Sequence, residues 1–321
     1  MTTTKGSTPY TVALTPPDIS AYKNGNTGVD YITTFDSGKP GPHVMINAVT
    51  HGNELCGALV VDRLFKMALR PMHGKLSFSF ANVAAFHAFN PSLPNDSRFV
   101  DEDFNRVWSS DVLDSSRQSS ELMRARAMRP IIDTVDFLLD HHSMHDPHLP
   151  LIISGTQSRS IALAKILRVP EHIVVDAGHA NGTRMRDYGG FSDPTSHKTA
   201  LLTECGQHWE PAAEALAWQL TWRFLKHLNV VDADLADEHI DDTPTPKQKV
   251  VRVTQAVTAT GENFKFCDGL RGFSILPNQS DIIAHDEGQP VLAPYDNCVL
   301  IMPTLIHVKP GLTAVRLGQL E

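Results

Sequence analysis

Val44-Met45-Ile46-Asn47-Ala48-Val49-Thr50-His51-Gly52-Asn53-Glu54-Leu55-Cys56 sets the frame for the whole chain. The run at 44–49 reads as a strand covered on both faces, and a helix-period stretch, 55–69, follows it. Between them, His51 and Glu54 stand three residues apart where strand gives way to helix. A first helical turn presents positions i and i+3 together, so an imidazole and a carboxylate can converge on one cation from the same side. The alternative is a capped helix start, because a bare His-x-x-Glu recurs by chance.

The alternation continues along the chain. Strand candidates lie at 43–49, 75–81, 135–140, 151–154, 173–176 and 200–203, and helix-like stretches at 55–69, 119–132, 159–167 and 212–228. Strand and helix in turn predict an α/β domain with a mostly parallel or mixed sheet. Thr243-Pro244-Thr245-Pro246 cannot continue a helix. Beyond it come short β-rich runs at 250–253, 273–275, 291–293, 299–301 and 314–317, separated by turn residues as in an all-β module. The expected division is a catalytic domain, residues 1–235, and a small C-terminal β domain, residues 236–321, with an acidic, proline-bearing linker at its start.

With 321 residues, 41% hydrophobic and 20% charged, the composition is that of an ordinary globular protein. No apolar stretch approaches the roughly 18–20 residues that span a bilayer. Residues 1–17 are polar, with no charged region leading into an apolar one, so a cytoplasmic location is expected. Cys56, Cys205, Cys267 and Cys298 are scattered without a C-x-x-C pair and read as buried, reduced thiols. The net charge is −8, but Asp232, Asp234, Asp237, Glu238, Asp241 and Asp242 crowd one segment lacking Lys and Arg. Set aside, they leave 30 acids against 28 bases, so no basic stripe exists to neutralise phosphates and nucleic-acid binding is disfavoured. The acidic run itself reads as a solvated linker.

In open α/β sheets, ligands bind beyond the carboxyl ends of the strands. Chemistry-bearing residues gather there: His51 and Glu54 after the first strand candidate, His142 after 135–140, and Glu204 after 200–203. Two imidazoles and a carboxylate make a three-ligand zinc site with a fourth position open for water, and a further glutamate serves as general base. For His142 alone, a hydrogen-bonded loop is the competing reading; for Glu204, an ion pair.

Four blocks together carry a resemblance: His51-Gly-Asn-Glu54, Ser97-Arg98-Phe99-Val100-Asp101-Glu102-Asp103-Phe104-Asn105-Arg106, Asp140-His141-His142 and Thr203-Glu204-Cys205-Gly206. In order and spacing they resemble the aspartoacylase/succinylglutamate desuccinylase family of zinc carboxypeptidase-like deacylases, over roughly residues 40–230. The resemblance implies a zinc carboxypeptidase-like mixed sheet flanked by helices, and one Zn2+ per chain held by His51, Glu54 and His142. Its Asp-x-His block selects His142 over His141 and gives Asp140 a supporting place. It further implies that Arg98 polarises the scissile carbonyl, that Asn105 and Arg106 grip a substrate carboxylate, and that Glu204 is the general base. The family's Asp-Leu-Asn-Arg is Asp-Phe-Asn-Arg here, and the residues after the glutamate, Gly206-Gln207-His208-Trp209, depart from better-known members. Without the resemblance, ion pairs with Asp101, Glu102 or Asp103 would account for both arginines.

The resulting expectation is a zinc-dependent amidohydrolase cleaving an N-acyl amino acid or a related small carboxylate-bearing amide. The alternatives are a zinc carboxypeptidase acting on peptides and a metal-binding module without turnover. The partner is a small molecule, with neither nucleic acid nor membrane; homo-oligomerisation is compatible with this reading. The polar loop around Asp146 and Pro147 explains His145 and His148. His179, His197 and His208 are candidates for the site mouth, His208 foremost, and the loop bearing Arg184 and Arg186 is either a second specificity determinant or an exposed structural loop. Serine-hydrolase and phosphate-cradling motifs are absent.

Overall fold

The computed structural model describes residues 8–306 and 308–321. The first seven residues of the polar N-terminal stretch therefore lie outside the described residues. The chain begins with β1 (Ile32–Asp36), β2 (His43–Ala48), α1 (Leu55–Lys66), β3 (Lys75–Phe80), α2 (Val83–His87), α3 (Ser110–Leu113) and α4 (Ser120–Ile132). It continues through β4 (Phe137–Met144), β5 (Leu151–Ile153), α5 (Ser158–Leu167), β6 (His172–Val175), β7 (Thr199–Gln207), α6 (Pro211–His227) and α7 (Ala233–Asp237). The remainder is β8 (Lys249–Thr258), β9 (Lys265–Phe266), β10 (Ile275–Leu276), β11 (Ile282–Asp286), β12 (Gln289–Leu292), β13 (Cys298–Ile301) and β14 (Thr313–Leu320).

Eleven strands form one mixed sheet in the order β1-β3-β2-β4-β7-β5-β6-β8-β14-β13-β10, and β12-β11-β9 form a separate antiparallel sheet. The pairs β2–β3, β2–β4, β4–β7, β5–β6 and β6–β8 are parallel, whereas β1–β3 and β5–β7 are antiparallel. The continuous apolar texture of β2 has its reason here: every residue of it is buried, with strands on both sides and packing on both faces. One face carries α1, α5 and α6, whose Val60, Leu64, Leu163, Trp218, Trp222 and Phe224 pack on Val44, Ile46, Leu139 and Leu201. Side chains of this kind contribute about 1.5–3 kcal/mol each when fully buried. The opposite face is covered near β2 and β4 by Phe104, Trp108, α4 and Met185. Further along it packs on the C-terminal strands, where Leu151, Ile153, Val174 and Leu202 meet Val251, Val299 and Ile301. The sheet runs without a break from β6 into β8 and onward, so the C-terminal strands are hydrogen-bonded to the part that bears the candidate site.

The acidic segment departs from expectation. It is not wholly a solvated linker: Asp232 caps α7, accepting from the backbone N–H of Asp234 and Leu235 at 3.0 Å each, and Lys226 pairs with Asp237. Local capping and one ion pair offset the charge density that argued for a solvated linker. Besides α7, the elements that escaped the sequence pattern are β1 with its half-buried threonines at a sheet edge and the short α2, α3, β9 and β11. Of the four cysteines, Cys56, Cys205 and Cys298 are buried and Cys267 is half-buried; all are free. Among the described residues, no helix is long and apolar enough to cross a membrane.

Candidate active site and metal centre

His51 and Glu54 occupy the turn between β2 and α1, and His142 lies near the end of β4, the next strand in the sheet. Parallel pairing of β4 with β7 sets His142 directly opposite Glu204. Four residues from three distant stretches of the chain thus meet at one end of three adjacent strands.

Donor atoms of His51, Glu54 and His142 lie within 4.8 Å of one another, and all three side chains are buried. Glu54 is the centre: Oε1 is 2.7 Å from His51 Nδ1 and Oε2 is 2.8 Å from His142 Nδ1. The other ring nitrogens face carboxylates, His51 Nε2 to Asp103 Oδ1 at 2.9 Å and His142 Nε2 to Asp140 Oδ2 at 2.9 Å. Asp140 is fixed in turn by Asn47 Nδ2 at 2.8 Å and by the Thr50 hydroxyl at 2.9 Å. An imidazole anchored by a carboxylate on one nitrogen and turned inward with the other is the arrangement that orients metal ligands. The donor set, two imidazoles and one carboxylate, suits Zn2+, so the residues present fit the ion.

The electrostatics agree with a cation at this point. Burial works against a charged His142, yet Asp140 and Glu54 outweigh it and hold the ring well above the ordinary histidine range. Burial likewise opposes ionised Glu54, but His51 and His142 hold its carboxyl well below the usual value. Glu204 differs: burial pushes its pKa up to about 8, with Glu54 adding to the effect against His142. Its Oε2 is buried and has no hydrogen-bond partner among the described residues. A carboxyl poised near neutrality can both take and return a proton.

Arg98 reaches over the cluster, donating from Nη2 to Asp103 at 3.2 Å and from Nη1 to Glu54 at 3.3 Å, with Nη2 also 2.9 Å from His51 Nε2. Its loop is clamped by Glu121, a fully buried carboxylate on α4 that accepts from the backbone N–H of Val100, Asp101 and Glu102 at 2.7, 3.1 and 3.2 Å, and from Asn82 Nδ2 at 3.0 Å. Glu121→Ala is expected to cost about 3 kcal/mol, because it leaves the buried Asn82 amide and three part-buried backbone N–H groups without their acceptor, and to lower kcat/KM by loosening Arg98. Urea unfolding with parallel kinetics checks it; a stability loss below about 1 kcal/mol would show that water replaces the clamp.

Asn105 accepts at Oδ1 from the backbone N–H of Met185 at 2.9 Å, leaving its amide nitrogen without a hydrogen bond among the described residues. Arg106 lies at a cationic end of the site. A Cβ on Gly182 (φ +139°) would fall 2.3 Å from the Arg106 carbonyl oxygen, so only glycine allows this approach. Burial and the charges of Arg98, Arg184 and Arg316, opposed by Asp103, bring the Arg106 pKa down to about 10. Burial, then Arg106, Arg316 and Arg184, push His179 down to about 3. This end favours an anion.

Several expectations are redirected. Arg184 and Arg186 do not form an exposed loop: both are buried, Arg184 on Asp176 at 3.0 Å and on Asp187 at 2.6 Å, Arg186 on Asp187 and on the carbonyls of Ser154 and Ala200. His197 is not at the site mouth, since it pairs with Asp136 ahead of β4, at the opposite end of the strand from His142. His145 and His148 are held by Asp146 and the Pro303 carbonyl, as a polar loop requires. His141 points to the other face of β4, between the hydroxyls of Thr203 at 2.9 Å and Thr221 at 2.8 Å. Asp103, one of the ion-pair partners the sequence offered for the two arginines, lies 3.2 Å from Arg98 and 3.9 Å from Arg106, whereas Glu121 and Arg316 had no reading in the sequence. For Arg316 a signal existed: a lone arginine in the apolar run Ala314-Val315-Arg316-Leu317 needs a partner, and Asp176 provides it at 3.4 Å.

Fold and cluster together define an α/β protein with a buried His-Glu-His group suited to a metal ion, and comparison with known proteins carries this further. The family described as the succinylglutamate desuccinylase/aspartoacylase catalytic domain matches residues 40–215. The chain belongs to the succinylglutamate desuccinylase/aspartoacylase family. A curated relative, a probable aspartoacylase from Parasynechococcus marenigrum (strain WH8102), is 33% identical over 85 residues, 26% of this chain and 26% of that protein. Among solved structures, succinylglutamate desuccinylase from Vibrio cholerae is 17% identical with a TM-score of 0.64, covering 91% of this chain and 86% of that one. The product-bound ectoine utilization protein from Ruegeria pomeroyi is 16% identical with a TM-score of 0.63, covering 92% of each chain. The family points to a hydrolase acting on amide bonds.

Proposed function

We propose that the protein is a zinc-dependent amidohydrolase that removes the acyl group from an N-acyl amino acid or a related small carboxylate-bearing amide. Residues 1–235 are the catalytic part in this reading, and residues 236–321 the β-rich part. The observation that carries the proposal is the bridging of His51 Nδ1 and His142 Nδ1 by the two oxygens of Glu54, with buried Glu204, whose Oε2 has no partner among the described residues, opposite His142. His51, Glu54 and His142 would hold the ion; bound Zn2+ lowers the pKa of water towards about 7 and polarises a carbonyl.

The side chains divide the remaining work. Glu204 takes a proton from the attacking water and returns it to the departing amine. Arg98 donates to the carbonyl oxygen as negative charge builds there, its guanidinium already aimed at the cluster by Asp103 and Glu54. Asn105 and Arg106 bind the substrate carboxylate at the cationic end, Arg106 through its planar fork. Asp103 and Asp140 keep the imidazoles oriented, and the substrate is a small molecule.

Elemental analysis of the purified protein, paired with a panel of N-acyl amino acids against peptides with a free C-terminus, tests this reading. Zinc near one per chain with turnover of the small amides is expected; turnover of peptides alone would make the protein a carboxypeptidase. Arg106→Lys is expected to raise KM for a carboxylate-bearing substrate by about one to two orders of magnitude with kcat nearly kept, roughly the worth of one bidentate contact. An unchanged KM would place Arg106 outside the substrate site.

A further inference from the structure

His208 has no part in the chemistry above, yet it is built into the wall of the site. A bulge at Gly206, with φ of 128°, shifts the β4–β7 register between His142/Glu204 and Met144/Gln207. Bulges of this kind re-aim side chains beside active sites. Past the bulge, the His208 backbone N–H is tied to the Met144 carbonyl at 2.9 Å, and Nδ1 lies 2.8 Å from the Ser143 hydroxyl. Ser143 in turn donates its backbone N–H to Glu54 Oε2 at 3.4 Å. The rings of Trp209 and His145 flank the imidazole at 5.3 and 6.3 Å, and His145 is joined to Asn95, three residues before Arg98. The side chain is buried, and Nε2 has no hydrogen bond among the described residues.

The charged neighbours of His208 are Glu54, Arg98, His145 and His51, whereas those of His179 are Arg106, Arg316, Arg184 and Asp176. Geometry separates them too: Gly182, bridged to His179, packs on Arg106, whereas His208 is joined through Ser143 to Glu54, so the two histidines stand in different parts of the site. Burial above all, with Arg98 adding to it, takes the His208 pKa down to about 3 and keeps the ring uncharged.

Resting on the deacylase reading, we infer that His208 contacts the acyl half of the substrate through Nε2 and selects acyl groups carrying a neutral polar group beyond the scissile carbonyl. If Arg106 holds the amino-acid carboxylate, the acyl half extends to the end where His208 stands. A neutral imidazole oriented by Ser143 offers one directed hydrogen bond there, suited to a hydroxyl or a second carbonyl and indifferent to a plain alkyl chain.

The test compares the wild type with His208→Phe, His208→Gln and His208→Asn on the N-acetyl and N-hydroxyacetyl derivatives of one amino acid, with zinc content and thermal midpoint measured alongside. A glutamine amide can reach the place of Nε2, an asparagine amide that of Nδ1. The wild type should favour the hydroxyacetyl substrate about tenfold in kcat/KM, the value of one hydrogen bond. His208→Phe should erase that preference while zinc stays bound, and the glutamine variant should retain part of it. The same preference in the phenylalanine variant, or rescue by asparagine and not glutamine, would overturn the inference and leave only a bracing contact to Ser143. A wild type that cleaves both amides equally sinks this inference alone; one that cleaves neither takes the deacylase proposal down with it.

Discussion

Glu204→Gln is expected to leave the metal content unchanged and to lower kcat by about three orders of magnitude, within the range that a positioned general base supplies. The geometry makes the variant a clean one. Glu204 is not among the three residues whose donors converge, so its loss takes no ligand away. The side chain is buried with one oxygen unpartnered, so an amide of the same shape fits the space without breaking a hydrogen bond of that atom. What disappears is a group that accepts and returns a proton. Metal analysis and steady-state kinetics on the same preparation decide the matter. Turnover within tenfold of the wild type would remove Glu204 from the mechanism, and loss of the metal would turn it into a ligand.

The adjacent histidines should behave oppositely. His142→Ala is expected to release zinc on dialysis and abolish turnover, and to destabilise the metal-free fold by about 3–5 kcal/mol, since it leaves two buried carboxylates, Asp140 and Glu54, facing each other without the ring between them. His141→Ala should keep the metal. Its ring bridges Thr203 and Thr221 on the helix-covered face, so removal costs packing and two hydrogen bonds, about 2–4 kcal/mol, and affects activity only through stability. Zinc stoichiometry with urea unfolding separates the two cases. Loss of zinc from His141→Ala and not from His142→Ala would reassign the ligand.

Much of this was legible in the residues. The largely apolar run at 43–49 identified a strand buried on both faces, whereas 75–81 alternates Leu76, Phe78 and Phe80 with Ser77 and Ser79, and only the structure shows that both serines are buried as well. The helix-period stretches correspond to α1, α4, α5 and α6 within a few residues at each end. Less legible were elements whose stability is not local. β1 is half-exposed and owes its place to pairing with β3, and α7 forms where acidic composition argued for a solvated linker. The spread of the sheet through β8 into the C-terminal strands had no sequence signal, since which strands pair depends on contacts between distant segments.

The site divides along the same line. By itself the sequence determined the chemistry available: an imidazole and a carboxylate at one strand end, an imidazole at a second, a glutamate at a third, and two arginines between, because residue type and position relative to a strand are local properties. Only the tertiary structure decided which atoms meet. It placed Glu54 between two imidazoles, set Asp103 and Asp140 behind them, turned His141 away, sank Arg184 and Arg186 into ion pairs, and brought Arg316 from the last strand to the cationic end. Those outcomes follow from strand order, register and a bulge, and each depends on segments too far apart in the chain for any local pattern to record.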